Sequence, residues 1–254
     1  CATALADAIQ SLQARGIPCH AVVATAGTTV RGAVDPLLDI ADLCAQHDIW
    51  LHVDAAIGGV FALSSATASL MRGLNRADSI TLNPQKLLGI TKTSSLFLVR
   101  DKARLCIAFA TGLPYMESPT GDHHGGEVGL QGTRPAEVLK LWLGLRQLGE
   151  QGITTVLQGA LERRRLLMNH LRSDRLQLLS GDLHLLVFRP RWGDAKQRKH
   201  WSETTRSRLL REGFLLSRPQ YEGHHWLKAV LGNPHTTTEH LQQLADLIQT
   251  DLPR

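Results

Sequence analysis

The chain has 254 residues, 43% of them hydrophobic, so it can bury a large hydrophobic core. This length corresponds to one large domain or one and a half, and it excludes a small scaffold that depends on disulfides or metals. The formal net charge is +5, but the basic residues are scattered apart from Arg163-Arg164-Arg165, which we interpret as one solvated helix face, so nucleic-acid binding is not expected. The four cysteines lack the paired spacing of a disulfide framework or zinc site and favour a reducing cytoplasm, and no apolar run reaches the length of a membrane span.

The first residues follow the pattern of an amphipathic helix. Apolar side chains recur at helical spacing up to Gly16, which is typical of a residue just beyond a helix end. The chain starts at Cys1 rather than at a methionine, and it starts inside this pattern. We therefore expect that the beginning of the protein is missing from the sequence.

Short apolar runs then alternate with helical patterns. Strands are predicted over residues 20–24, 49–53, 79–82 and 94–99, and Asp35-Pro36 opens a helix between the first two of them. This alternation is typical of βαβ units, in which a mostly parallel sheet is covered by helices on both faces. The predicted class is therefore α/β.

An acid and a lysine stand where two of these strands give way to turns. Asp54 follows the strand in Leu51-His52-Val53, and Lys86 follows the strand that ends in Thr81-Leu82. Because the carboxyl ends of strands border the ligand crevice of an α/β sheet, polar groups at these ends can face a cofactor. The two residues are therefore the first candidates for a functional site.

At this point the chain resembles a known family, the group II pyridoxal-phosphate-dependent amino-acid decarboxylases. The resemblance lies in His-Val-Asp-Ala-Ala at 52–56 and Asn-Pro-Gln-Lys-Leu-Leu-Gly at 83–89, with further matches at 24–29 and 139–142. It implies a type I transferase fold like that of aspartate aminotransferase, with the latter part of a large domain over residues 1–150 and a small α+β domain over 151–254. The family's phosphate-binding turn and the side chain stacked on the cofactor ring would precede residue 1.

The resemblance assigns three roles at the ring of pyridoxal 5'-phosphate. Lys86 would bind the cofactor aldehyde through its amine, which is covalent catalysis by a lysine. Asp54 would hold a proton on the pyridine nitrogen, since an opposite charge at contact distance shifts a pKa by about 1 to 3 units. Ala56 would place a methyl group against one face of the ring. The alternatives are a surface lysine, a capping aspartate and a core alanine. The occurrence of Asp54 and Lys86 together outweighs these alternatives and favours the cofactor.

Further residues are assigned to the phosphate side. Asn83 and Thr29 match positions beside the cofactor in the family, although Thr29 taken alone is better explained as an ordinary turn threonine that caps its own backbone. Gln85 occupies a position that is often histidine in these enzymes. Since glutamine cannot carry a proton at neutral pH, an acid–base role at this position cannot be transferred to this chain.

A long loop is predicted between about 111 and 126. In the family a mobile loop in this region presents a tyrosine that protonates the intermediate after carbon dioxide leaves. Here His123 and His124 stand near that place, and Tyr115 lies too early. Either imidazole could donate the proton, and a solvated glycine-rich loop is an equally weighted alternative.

The remaining patterns describe the carboxyl-terminal part. A helix is predicted from Pro135 to about Gly149, followed by a second over 154–171. Strands at 184–189 and 226–231 and helices at 202–211 and 239–250 complete an α+β domain. Lys228 matches a position that is arginine in several relatives and is proposed there to bind the substrate carboxylate, but we favour a surface lysine on an edge strand.

The predicted function is decarboxylation of an L-amino acid to an amine by a cytoplasmic homodimer that uses pyridoxal phosphate. Two alternatives stay open at the level of the sequence. One is aldehyde-forming oxidative deamination on the same cofactor, which the missing loop tyrosine permits. The other is a non-catalytic fragment that serves only as an association partner.

Overall fold

The computed structural model describes residues 1–91, 95–113, 125–171 and 174–252. Its α-helices are α1 (Ala2–Ala14), α2 (Leu37–Gln46), α3 (Ala103–Phe109), α4 (Val138–His170), α5 (Ala195–Arg211) and α6 (Thr238–Thr250). Its strands are β1 (Ala21–Thr25), β2 (Trp50–Asp54), β3 (Ser79–Leu82), β4 (Leu96–Val99), β5 (Leu176–Ser180), β6 (Leu185–Pro190), β7 (Gln220–Tyr221), β8 (His224–His225) and β9 (Leu227–Val230). Short 3-10 helices lie between β2 and β3 and around Lys86.

The first sheet has the strand order β1-β2-β3-β4. The first three strands are parallel and β4 is antiparallel to β3, so the predicted mostly parallel sheet is confirmed. Alternate side chains, Leu51 and Val53 among them, are buried together with residues of α1 and α2 in one hydrophobic core. Helices therefore cover this face of the sheet, as expected for an α/β fold.

The opposite side of the first sheet, which we call the open face, is not covered by helices among the described residues. Its side chains include Val23, which is 66% exposed, and Phe97, which is 55% exposed. The second covering layer that was expected is therefore not found among the described residues. The strands carry side chains suited to burial on both sides, but the described residues supply only one covering layer.

Helix α4 runs from the first core into the second. It is interrupted at Gly149, whose φ of 60° and ψ of −178° lie outside the helical region and suit only a residue without a Cβ atom. The two predicted helices therefore follow one another directly, with a break in the helical backbone at Gly149. Leu157 of α4 belongs to the first core, whereas Leu167 belongs to the second.

The second core is built on the antiparallel sheet β5-β6-β9. All six residues of the central strand β6 are buried, and α5 and α6 contribute Leu209 and Leu244 to the same core. Both helices begin with a capping box, formed by Asp194 with Gln197 and by Thr237 with His240. The division of the chain near residue 150 stays a proposal, for which the break at Gly149 is the nearest structural marker.

Candidate active site

Asp54 is the last residue of β2 and is exposed at its carboxyl end. The strand behind it is fixed on both sides, because Asp54 is in register with Thr25 of β1 and with Thr81 of β3. Its side-chain Oδ1 accepts a hydrogen bond from the Ala56 amide at 3.1 Å, which turns the chain directly after the strand. The carboxylate is thus a fixed negative charge at the edge where parallel strands end.

The segment after Ala56 lies against the β1 turn. The Gly58 amide donates to the Ala26 carbonyl at 2.9 Å. A Cβ atom at Gly58 would stand 2.4 Å from that oxygen, so only glycine allows the two backbones to approach this closely. This contact fixes where Ala56 lies relative to the end of β1.

Lys86 lies in the turn that follows β3. Pro84 begins a short 3-10 helix, Pro84–Lys86, and the Lys86 amide donates to the Asn83 carbonyl at 3.1 Å. The next two residues, Leu87 and Leu88, are buried and anchor the turn in the first core, whereas Lys86 is exposed. The lysine is therefore available to a ligand, and its backbone is held in place.

Two amide side chains in the Lys86 turn have buried oxygens without a partner among the described residues. They are Oδ1 of Asn83 and Oε1 of Gln85. A buried polar atom normally has a hydrogen-bond partner, so this pair indicates that a polar group is missing beside the turn. An amide that rotates by 180° presents its NH2 group to the same space, so these residues fit an anionic group such as a phosphate.

Thr29 and Lys228 are brought together although they lie 199 positions apart in the chain. Lys228 Nζ donates to the Thr29 carbonyl oxygen at 3.1 Å, and burial lowers the pKa of this lysine. Lys228 lies on β9, which is the expected edge strand of its sheet, and its partly exposed side chain reaches the turn after β1. The capping role considered for Thr29 is carried out by Thr28, whose Oγ1 accepts from the Ala33 amide at 3.1 Å.

His184 lies beside Lys228 and was not identified from the sequence. It is 2% exposed, and burial, followed by the charges of Arg163 and Lys228, lowers its pKa to about 4. Arg163 is also partly buried and donates through Nε to the Leu231 carbonyl at 2.8 Å. The solvated arginine face predicted for 163–165 is therefore wrong at Arg163. A histidine at the start of an apolar strand was the available signal for His184.

The loop candidates His123 and His124 lie outside the described residues. Two residues that flank this loop are linked, because Glu127 accepts from both the amide and the hydroxyl of Thr111. Over the described ranges no group of His, Cys, Asp and Glu is suited to a metal ion, and no helix there is long and apolar enough to cross a membrane.

Comparison with known proteins identifies the relatives of this chain. The family profile described as "Pyridoxal-dependent decarboxylase conserved domain" matches residues 1–189. The chain is 35% identical over 169 residues to the acidic amino acid decarboxylase GADL1 of Bos taurus, which covers 65% of this chain and 32% of that protein.

Solved structures agree with the sequence comparison. Mouse CSAD in its apo form superposes with a TM-score of 0.87 at 26% identity, over 99% of this chain and 56% of that one. Oryza sativa TDC with PLP and tryptamine has a TM-score of 0.89 at 24% identity, over 99% and 54%, and shows the shared fold. The chain thus spans about half the length of these structures and about a third of the curated relative.

Proposed function

The chain belongs to the pyridoxal-dependent decarboxylase family, and we propose that it acts in the decarboxylation of an L-amino acid to an amine, with pyridoxal 5'-phosphate as cofactor. The observation that carries the proposal is the conjunction of Asp54 and Lys86 at the carboxyl ends of the neighbouring strands β2 and β3. The unpartnered amide oxygens of the Lys86 turn support the same site.

The cofactor, when bound, supplies an electron sink for the pair released as a bond to the substrate Cα breaks. In this proposal Asp54 keeps a proton on the ring nitrogen through its negative charge. Lys86 would hold the cofactor aldehyde through its amine. Ala56, the second residue after Asp54, leaves room for the ring and packs a methyl group against it.

The phosphate side is assigned to Thr29, Asn83 and Gln85. With each amide turned so that its NH2 group faces the site, Asn83 and Gln85 would donate to phosphate oxygens. Gln85 donates without titrating, so cofactor binding has no contribution from a histidine charge at this position.

Substrate binding is assigned to Lys228 and proton donation to His123 or His124. Lys228 is only partly exposed, and among the described residues its ammonium contacts a backbone carbonyl and forms no ion pair with an acid. Its positive charge therefore suits a substrate carboxylate, as a single charge rather than as the two-pronged contact of an arginine. The histidines are retained as proton donors because an imidazole titrates near neutral pH.

The decisive experiment is reduction of the cofactor-loaded protein with borohydride, followed by mapping of the modified peptide. We expect label on Lys86 alone, and Lys86→Arg should abolish it. Lys228→Arg serves as the matched control, since it also replaces a lysine of the site and should leave the label on Lys86 in place. Label elsewhere, or none, contradicts the proposed function.

Product analysis then separates the reactions and the substrates. Release of an amine and carbon dioxide is expected, whereas an aldehyde with ammonia would show oxidative deamination. The relative GADL1 is named for acidic amino acids, so L-glutamate, L-aspartate and L-cysteine sulfinate are tested first, with L-tryptophan for comparison. We further propose a homodimer in the cytoplasm, where the four free cysteines stay reduced.

A further inference from the structure

A chain of hydrogen bonds joins β2 to β3 across the open face. Trp50 Nε1 donates to Ser79 Oγ at 2.9 Å. Ser79 Oγ lies 2.8 Å from His52 Nδ1, and His52 Nε2 lies 3.3 Å from Thr81 Oγ1. None of these four side chains has a role in the proposed function, and they link the two strands that carry Asp54 and Lys86.

The hydrogen bonds run in one direction. An indole N–H can only donate, so Ser79 Oγ accepts from Trp50. Ser79 is 3% exposed, and its own hydroxyl proton therefore needs an acceptor inside the protein, which His52 Nδ1 provides. With Nδ1 as the acceptor, the ring N–H group is at Nε2 and faces Thr81 Oγ1. His52 is the central member, and its two nitrogens have different partners.

The position of this network relates it to the candidate active site. The backbone pairing of β2 with β3 has the register His52–Ser79, Val53–Ile80 and Asp54–Thr81. Since alternate residues of a strand share a face, His52 and Asp54 lie on the same side of the sheet. The network ends at Thr81, which is the register partner of Asp54, directly before the chain enters the Lys86 turn.

We propose that His52 is a positioning residue that fixes β2 against β3, so that Asp54 and Lys86 are held at the separation that the cofactor requires. The inference rests on the proposed function. The backbone pairing between β2 and β3 has only the three register pairs given above. The open face of the sheet lacks a covering layer among the described residues. The side-chain hydrogen bonds of His52 therefore supply a substantial part of the contacts that hold the two strand ends together.

Hydrogen–deuterium exchange of the full chain tests this without cofactor. The reporter is the Ala55 amide, which donates to the Thr81 carbonyl at 2.9 Å across β2 and β3. In His52→Leu we expect this amide to exchange at least tenfold faster. The Trp50 amide, which joins β2 to β1 through the His20 carbonyl, should be unchanged. His52→Gln retains a donor and an acceptor and should restore part of the protection.

The matched control is Phe97→Leu, because Phe97 contacts the His52 ring at a centroid distance of 6.0 Å without a hydrogen bond. Unchanged Ala55 exchange in His52→Leu, or an equal effect in Phe97→Leu, overturns the inference. If His52→Leu does not fold, Trp50→Phe removes a single donor of the same network and should raise Ala55 exchange in the same direction. Unchanged exchange in that variant also overturns the inference.

A second measurement follows the cofactor itself. Titration with pyridoxal 5'-phosphate, monitored by the absorbance of the lysine-bound cofactor, should show a dissociation constant roughly tenfold higher in His52→Leu, the loss expected for about one hydrogen-bond contribution. An unchanged constant overturns the link between His52 and the site. If the unsubstituted chain takes up no cofactor, the proposed function fails, and the exchange experiment still decides whether His52 holds the strands.

Discussion

Asp54 and Lys86 obtain their positions from the residues that surround them. Asp54 ends a strand whose alternate side chains are buried, and its carboxylate accepts from the Ala56 amide. Lys86 lies in the turn after β3, which the buried Leu87 and Leu88 fix in the core. The sequence predicted both residues, because an apolar run that ends in a charged residue and a turn is a local pattern of neighbouring residues. It did not predict that Arg163 contacts the Leu231 carbonyl or that Lys228 contacts the Thr29 carbonyl, because these partners lie far away along the chain.

The charge of Asp54 has a measurable role in the proposed site. Asp54→Asn removes the negative charge and should lower the rate roughly 10- to 1000-fold, corresponding to a pKa effect of about 1 to 3 units on the ring nitrogen. Steady-state kinetics measure the rate. Asp35→Asn is the control, since Asp35 accepts from the Thr25 amide at 2.8 Å near the end of the neighbouring strand. An equal loss in Asp35→Asn would contradict a specific role for Asp54.

His184 makes stability depend on acid pH. Its pKa is lowered from 6.5 to about 4 in the fold, chiefly by burial, so the unfolded chain takes up a proton before the folded chain does. Above about pH 6.5 the histidine is neutral in both states and stability does not depend on its titration. As the pH falls from 6.5 towards 4, protonation of the unfolded chain lowers the unfolding free energy. Between pH 7.5 and pH 5 we expect a loss of about 2 kcal/mol in unfolding free energy.

Denaturant unfolding at the two pH values measures this loss. His184→Phe cannot be protonated and should reduce the difference between pH 7.5 and pH 5 by about 2 kcal/mol. His200→Gln is the control, because His200 is exposed on α5. A pH difference in His184→Phe as large as in the unsubstituted chain would assign the acid sensitivity to other groups.

At the scale of the elements, local patterns predicted positions better than ends. The strand over 79–82 is confirmed without a shift, whereas β2 begins and ends one residue later than predicted, which makes Asp54 part of the strand. Helix α5 was predicted from 202 but begins at Ala195, because its first turns are polar and carry no apolar stripe. The signal for that start was the pair Asp194 and Gln197, which has the spacing of a capping box.

The break in α4 depends on one residue. Gly149→Ala places a Cβ atom on a backbone with φ of 60° and ψ of −178°, which should lower the unfolding free energy by about 1 to 3 kcal/mol. Gly152→Ala is the control within the same helix, because its φ is not positive, and its effect should stay within about 1 kcal/mol. Thermal unfolding measures both. Equal effects would show that Gly149 needs no special backbone conformation.

At the scale of the whole molecule, the fold class and the order of α and β elements followed from the sequence. The covering of the first sheet did not, since periodicity shows that a face is apolar but not what lies against it. The proposed proton donors His123 and His124 stay predictions, because they fall outside the described residues. Assembly is likewise a property that side-chain patterns indicate only through exposed apolar surface.

The start of α4 supplies such a surface. Val138 is 67% exposed and Trp142 is 57% exposed, and their spacing of four residues places them on one side of α4. Contiguous apolar side chains of this kind mark association sites. The double variant Val138→Lys and Trp142→Lys should therefore shift the proposed homodimer to monomer in sedimentation velocity. Leu210→Lys, at an exposed leucine of α5, is the control and should leave the dimer unchanged.

Helix α4 contributes to both hydrophobic cores, with Leu157 in one and Leu167 in the other. Ten helical residues correspond to a rise of about 15 Å, so a single rigid rod joins the two halves. If the part of α4 in one core unfolds, the neighbouring turns lose their helical support and apolar side chains of the other core are exposed. We therefore expect the halves to melt cooperatively in calorimetry, and we expect limited proteolysis to spare the segment between Leu157 and Leu167 until both halves have unfolded.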